Sequence, residues 1–142
     1  MAIIKDLLPD PPVHHKVHPD DTVIGAAKIM GKNNVGIVMV VEGDSLVGVF
    51  SERDLIRRVI SVGKDPAKTK VSEVMTKRVV IARETDDAEA CLKKMEQEDC
   101  RHLPIVVDGK PMAMLSIRDL MRHVLRVRET DLKMLEDYVA SP

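Results

Sequence analysis

Apolar and polar positions change their period in a fixed order along this chain, and the order occurs twice. Val23, Ala26, Ala27 and Met30 recur at helical spacing, which predicts a first helix with one apolar face. The run Val35–Val41 ("VGIVMVV") then stops at the turn signal "EGDS", and Leu46–Phe50 follows as a second short apolar run, so the pair reads as a hairpin. After Ser51 the helical period returns, with Leu55, Ile56, Val59 and Ile60 on one face. Further on, Ala88, Cys91, Leu92 and Met95 predict a helix, Arg101–Val107 and Pro111–Ser116 flank "DGKP", and Leu120, Met121, Val124 and Leu125 mark another helical face.

Shifting the chain by 65 residues lays Asp21–Ile60 over Asp86–Leu125 without a gap. Lys28 then meets Lys93, Met30 meets Met95, and "SERDLIRRVI" at Ser51–Ile60 meets "SIRDLMRHVL" at Ser116–Leu125. A repeat this long implies a duplicated supersecondary unit. An extended lead-in precedes each first helix, "VHHKVHPDDT" in one and "KRVVIARETDD" in the other, and a short turn, "IKDLL" or "VSEVM", precedes each lead-in. The expected fold is α+β, with two β-α-β-β-α repeats packed by pseudo-two-fold symmetry and a C-terminal helix. Residues 1–62 hold the first repeat with its lead-in, 63–70 a linker, 71–126 the second repeat, and 127–142 the C-terminal segment, where Val127, Leu132, Leu135 and Val139 form a loose apolar stripe. One unit alone would leave its apolar faces poorly covered, and pairing two units back to back covers them.

Composition narrows the function. One Phe, one Tyr and no Trp leave no stacking platform for single-stranded nucleic acid, and 22 basic against 23 acidic residues give no footprint for DNA or a membrane surface. No apolar run approaches a membrane span and no signal pattern opens the chain, so a soluble cytoplasmic protein is expected. Cys91 and Cys100 form no CxxC pair and read as small buried hydrophobes. Charged residues at 32% with only Asn33, Asn34 and Gln97 as side-chain amides point to a thermophile.

The repeated Ser-x-x-Asp carries the chemistry. Read plainly, Ser51 with Asp54 and Ser116 with Asp119 are capping boxes that open helices. The same geometry offers free amides and the positive end of a dipole to a phosphate. Two details exceed a cap: Asp stands where Glu or Gln is usual, and Arg53 and Arg118 sit in the first turn, where a cation opposes the helix dipole unless an anion is near. "HHKVH" at His14–His18 is not read as a metal site, because an extended lead-in sends neighbouring side chains to alternate faces.

"GVFSERD" at Gly48–Asp54, "AMLSIRD" at Ala113–Asp119 (with Ala in place of Gly), "VSEVM" and "HLPIVVD" together resemble a tandem pair of cystathionine-beta-synthase (CBS) domains, a Bateman module. The resemblance covers nearly the whole chain. It implies a stand-alone, non-enzymatic regulatory or energy-sensing module that binds an adenine nucleotide between repeats, AMP first and ADP or ATP after it, with no cofactor and no catalytic residues. It further implies a homodimer that signals to an unknown regulated protein.

Carried onto this chain, the resemblance gives Asp54 and Asp119 the ribose hydroxyls and places Ser51 and Ser116 near phosphate or ribose. Arg101 and His102 would contact phosphate in the cleft whose ribose Asp54 holds. Gly36 and Ile37 stand at the corresponding positions of the first repeat, so the Asp54 cleft is expected to be the better site. Lys16, Val17 and His18 would line the first cleft beside the adenine, and Ile81 to Arg83 the second. The alternatives are an S-adenosylmethionine-binding module, a structural or nucleic-acid adaptor with empty clefts, and, weakest, a small enzyme, since no nucleophile, base and orienting group converge.

Overall fold

A computed structural model of the chain describes residues 2–8, 12 and 14–140. Val13, which opens the first lead-in, and the last two positions of the C-terminal segment lie outside the described residues. A short 3-10 turn, Ile4–Leu7, comes first. The first repeat then runs β1 (Lys16–Val17), α1 (Val23–Asn33), β2 (Ile37–Glu42), β3 (Ser45–Ser51) and α2, whose first turn Glu52–Asp54 continues as the π-helical stretch Leu55–Ile60. The second runs α3 (Val71–Val74), α4 (Ala88–Gln97), β4 (His102–Val107), β5 (Lys110–Ser116) and α5 (Ile117–Ala140).

The duplication holds down to irregularities. The hairpins β2–β3 and β4–β5 are antiparallel, and each carries a register shift at the same relative place, between Val40 and Val41 and between Ile105 and Val106. In the first repeat β1 pairs parallel with β2; in the second the equivalent strand is reduced to one bridge, Ala82 to Ile105. The turns differ in chemistry: Asp108 and Gly109 both take positive φ, the pair a I′ hairpin turn demands, whereas in the first turn Gly43 does so and Asp44 does not.

Two largely aliphatic cores result, the first built around Phe50, and each borrows from the other repeat. Val23, Ala26, Met30, Val38, Val40, Phe50 and Val59 pack with Val71, Val74 and Met75, so α3 completes the first core. Ile4 is fully buried among Ala88, Cys91, Met95, Leu103 and Leu115 of the second core. Backbone bonds fix this exchange: the Ile4 amide donates to the Asp86 carbonyl and the Val71 amide to the Asp21 carbonyl, both at 2.9 Å. The linker takes part, since the first amides of α1, which have no helical partner, donate to the carbonyls of Thr69 and Pro66 and to the Thr22 hydroxyl.

Two features depart from the sequence expectation. No break separates the second repeat from a C-terminal helix at 126 and 127, because α5 runs continuously over 24 residues. The helices after the two Ser-x-x-Asp motifs also differ: α5 is regular, while α2 passes into wide turns in which the amides of Ser61 and Lys64 donate to carbonyls five residues back, at Ile56 and Val59.

Candidate functional site

A cleft of about 740 Å³ opens between the repeats, a volume suited to a nucleotide-sized ligand. One wall is the start of α2. The Asp54 amide donates to the Ser51 hydroxyl at 3.2 Å, and the Ser51 amide donates to Asp54 Oδ2 at 3.1 Å, so the capping box is real. It is also unusual in being aimed inward. Asp54 is only 5% exposed, and its carboxylate additionally accepts from the hydroxyls of Ser51 and Thr76, with Arg58 Nε at 3.7 Å from Oδ1. A carboxylate has about four acceptor sites, so Oδ1, holding one hydroxyl and one long contact, retains capacity toward the cleft.

The opposite wall comes from the second repeat: His102 at the start of β4, Arg101 just before it, and Glu98, Asp99 and Cys100 just after α4. The Ile117 amide donates to the Arg101 carbonyl at 2.8 Å, which fixes that backbone while the side chain stays exposed. Across from it, the Glu52 amide donates to the Gly36 carbonyl in the same way. Arg53, Arg57 and Arg101 line the cleft without an ion pair among the described residues, whereas Arg78 pairs with Glu98 at 3.5 Å. The rim is therefore rich in guanidinium groups around one buried carboxylate, a distribution suited to a ligand with a phosphate at one end and a diol at the other.

Of the residues proposed from sequence, the structure brings Ser51, Arg53, Asp54, Arg101 and His102 together in this cleft. Lys16, Val17 and His18 do not line it. Val17 belongs to the first core, Lys16 is exposed on β1, and the His18 amide donates to the Asp21 carboxylate in a local turn. The lead-in that lines the Asp54 cleft is the other one, through Thr76, Arg78, Val79 and Val80. The physical reason is the exchange of segments: Thr76 bridges Val49 on β3 of the first repeat, with both backbone bonds formed, before the chain returns to the second repeat.

Ile81 and Arg83, expected beside the second cleft, do not line the Asp54 cleft. The Ile81 carbonyl accepts from Lys94 Nζ and the Arg83 amide donates to Asp86. Ser116 and Asp119 repeat the capping box, with the Ser116 hydroxyl donating to Asp119 Oδ2 at 2.8 Å, and Arg118 is exposed on the first turn of α5.

Sequence reasoning missed Thr76, Arg57, Arg58 and Arg78. Arg57 and Arg58 carried a legible signal, lying one turn beyond Asp54. Thr76 did not, although the position 65 residues earlier is Pro11, which has no hydroxyl to offer a carboxylate.

Electrostatics bear on two side chains of the cleft wall, His102 and Cys100. Burial holds the His102 imidazole below its ordinary value of 6.5, with Asp119 and Glu52 opposing and Arg101 adding to the shift, so the ring is neutral near pH 7. Burial likewise lowers His14. Burial raises the Cys100 thiol, with Glu98 adding to it, so the cysteine in the wall is a thiol rather than a reactive thiolate.

The histidine shifts have a consequence for stability. The unfolded chain binds protons at these imidazoles more tightly than the folded one, so stability is full above 6.5 and falls as pH drops through that value. Urea unfolding should show a lower free energy at about pH 5.5 than at about pH 7.5, with His102→Asn removing part of the difference. A flat profile would contradict the burial of these rings.

Fold and cleft together define a two-repeat module with a cleft of ligand size at the repeat interface. The family model described as CBS domain matches residues 4–61 and again 71–126, and the chain belongs to the CBS-domain family as a tandem pair. It is 35% identical over 126 residues to the mitochondrial CBS domain-containing protein CBSX3 of Arabidopsis thaliana. That alignment covers 84% of this chain and 61% of the plant protein, so the chain spans less than two thirds of that relative's length.

Two similar solved structures contain ligands. PAE2072 of Pyrobaculum aerophilum, complexed with AMP, is 25% identical with a TM-score of 0.74, over 83% of this chain and 89% of that one. The CBS domain pair of MJ0100, complexed with 5′-methylthioadenosine and S-adenosyl-L-methionine, is 25% identical with a TM-score of 0.76, over 87% and 96%. CBS domains are in general regulatory rather than catalytic modules, and these two relatives bind adenosine-containing ligands. Among the described residues no helix is long and apolar enough to cross a membrane.

Proposed function

We propose that this chain is a regulatory module that binds AMP, or a closely related adenine nucleotide, in the Asp54 cleft and passes occupancy to a partner protein as a homodimer. The observation that carries the reading is the buried Asp54 carboxylate facing a rim of Arg53, Arg57, Arg101 and His102 across one open cleft. Asp54 would accept from the ribose hydroxyls, the arginines would take the phosphate, and Val79 and Val80 would border the base. The AMP complex of PAE2072 supports a mononucleotide as the first ligand to test.

A second reading has its own support: Glu98 and Asp99 give the rim two carboxylates that suit the cationic end of S-adenosylmethionine, a ligand of MJ0100.

Thermal unfolding in the presence of AMP, ADP, ATP and S-adenosylmethionine separates the readings. A ligand at about 100 times its Kd should add about 2.7 kcal/mol and raise Tm by roughly 10 °C. AMP should give the largest shift. A larger shift with S-adenosylmethionine would move the assignment to the second reading, and no shift with any of them would refute nucleotide binding.

A further inference from the structure

From Arg126 onward every described residue of α5 is exposed, including Leu132, Met134, Leu135, Tyr138 and Val139. The family match ends at residue 126, so this extension of roughly 21 Å of helix belongs to this chain rather than to the repeat. Five apolar residues of α5 keep a heptad spacing, Leu125, Leu132 and Val139 at one seam position and Met121 and Leu135 at the other with Arg128 between them, while Val127, Met134 and Tyr138 lie off the seam.

Charge is distributed unevenly along the helix. Its first half carries Arg118, Arg122, Arg126 and Arg128 against Asp119, and its second half carries Glu129, Asp131, Glu136 and Asp137 against Lys133. This is the reverse of what the helix dipole favours, since cations crowd the positive end and anions the negative one. A partner of opposite polarity lying alongside would remove the conflict, and an antiparallel copy of the same helix has that polarity.

We propose that α5 pairs antiparallel with α5 of a second copy, so that Leu125 packs against Leu135 of the partner subunit and Met121 against Val139 of the partner subunit. This rests on the homodimer reading above and adds the surface and its direction. In that register Arg128 faces Leu132 of the partner subunit, and Arg122 lies beside Glu136 of the partner subunit. Parallel pairing is disfavoured on two counts: it sets Arg128 against its own copy within the seam, and it lays basic half against basic half and acidic half against acidic half. The arrangement is isologous, as a two-fold dimer requires.

The experiment uses the full chain carrying Leu125→Cys and Leu135→Cys together, both exposed positions, with oligomeric state read by light scattering and cross-links by peptide mass after mild oxidation. The two positions are roughly 15 Å apart along one helix, beyond disulfide reach, so a 125–135 cross-link must join two chains. The expected result is a dimer containing the 125–135 cross-link. A 125–125 cross-link would show parallel pairing and overturn the proposal. A dimer with neither cross-link would place the contact elsewhere and overturn it while leaving the homodimer standing, and a monomer would overturn both.

Charge gives a second readout without cysteines. Arg122→Glu should weaken the dimer about tenfold, and adding Glu136→Arg should restore it, because both symmetry-related pairs are re-formed in reverse. No restoration would count against the register.

Discussion

Asp54→Ala should lower AMP affinity by about 10²–10⁴-fold, because hydrogen bonds to a charged acceptor contribute about 1.5–3 kcal/mol each and the ribose offers two hydroxyls. Asp119→Ala should have the smaller effect on total affinity, since Arg101 and His102 line the Asp54 cleft whereas Gly36 and Ile37 stand at the matching positions of the first repeat. Isothermal titration of both variants tests the order, and a larger loss at Asp119 would reverse the assignment of the principal cleft.

Asp54 also has a structural role, accepting from the Ser51 amide and from two hydroxyls, so the alanine variant should lose stability as well. Asp54→Asn separates the effects. An amide keeps the shape and one acceptor oxygen, so it should fold close to wild type while still losing most of the affinity. An asparagine variant that binds AMP normally would remove the ribose role from Asp54.

The duplication was legible because it is written in local signals that survive without tertiary context: helical period, hairpin turns, and a capping motif at fixed spacing. The capping geometry of Ser51 and Asp54 was legible for the same reason. The lead-ins were not, because an extended segment of alternating residues carries no sign of which repeat it will cross. Val17 was read as a cleft residue and is core, while Thr76 was passed over and reaches Asp54 from the other repeat. That crossing is decided by long-range pairing at Val49, which periodicity cannot express.

The continuity of α5 was missed for a simpler reason. The motif ends near Leu125, but no Gly or Pro lies between there and Ala140 to stop the helix. The one departure of the second motif from the family signature, Ala113 in place of Gly, proves informative once the exchange of segments is known.

Gly48→Ala should destabilise the chain by about 2 kcal/mol, the usual scale for overpacking a filled interior. The reason is space and not backbone conformation. A Cβ at Gly48 would stand 2.8 Å from the Thr76 carbonyl oxygen and 2.8 Å from Met75 Sδ; the sulfur can move, but the carbonyl belongs to the backbone that bridges Val49. Relief requires the second lead-in to lift off the first hairpin, which would pull the Thr76 hydroxyl from Asp54 and shift Arg78 and Val79 in the cleft wall. The variant should therefore lose ligand affinity as well as stability, although residue 48 makes no contact with the cleft. At the matching position the second repeat already holds a buried Ala113, and Ala113→Gly should cost only about 0.5–1 kcal/mol, the entropy of a glycine in a strand. Urea unfolding and calorimetric titration of the two variants give the comparison. Equal, small losses of stability at both positions would mean that the lead-in does not dock on β3 as closely as these distances require.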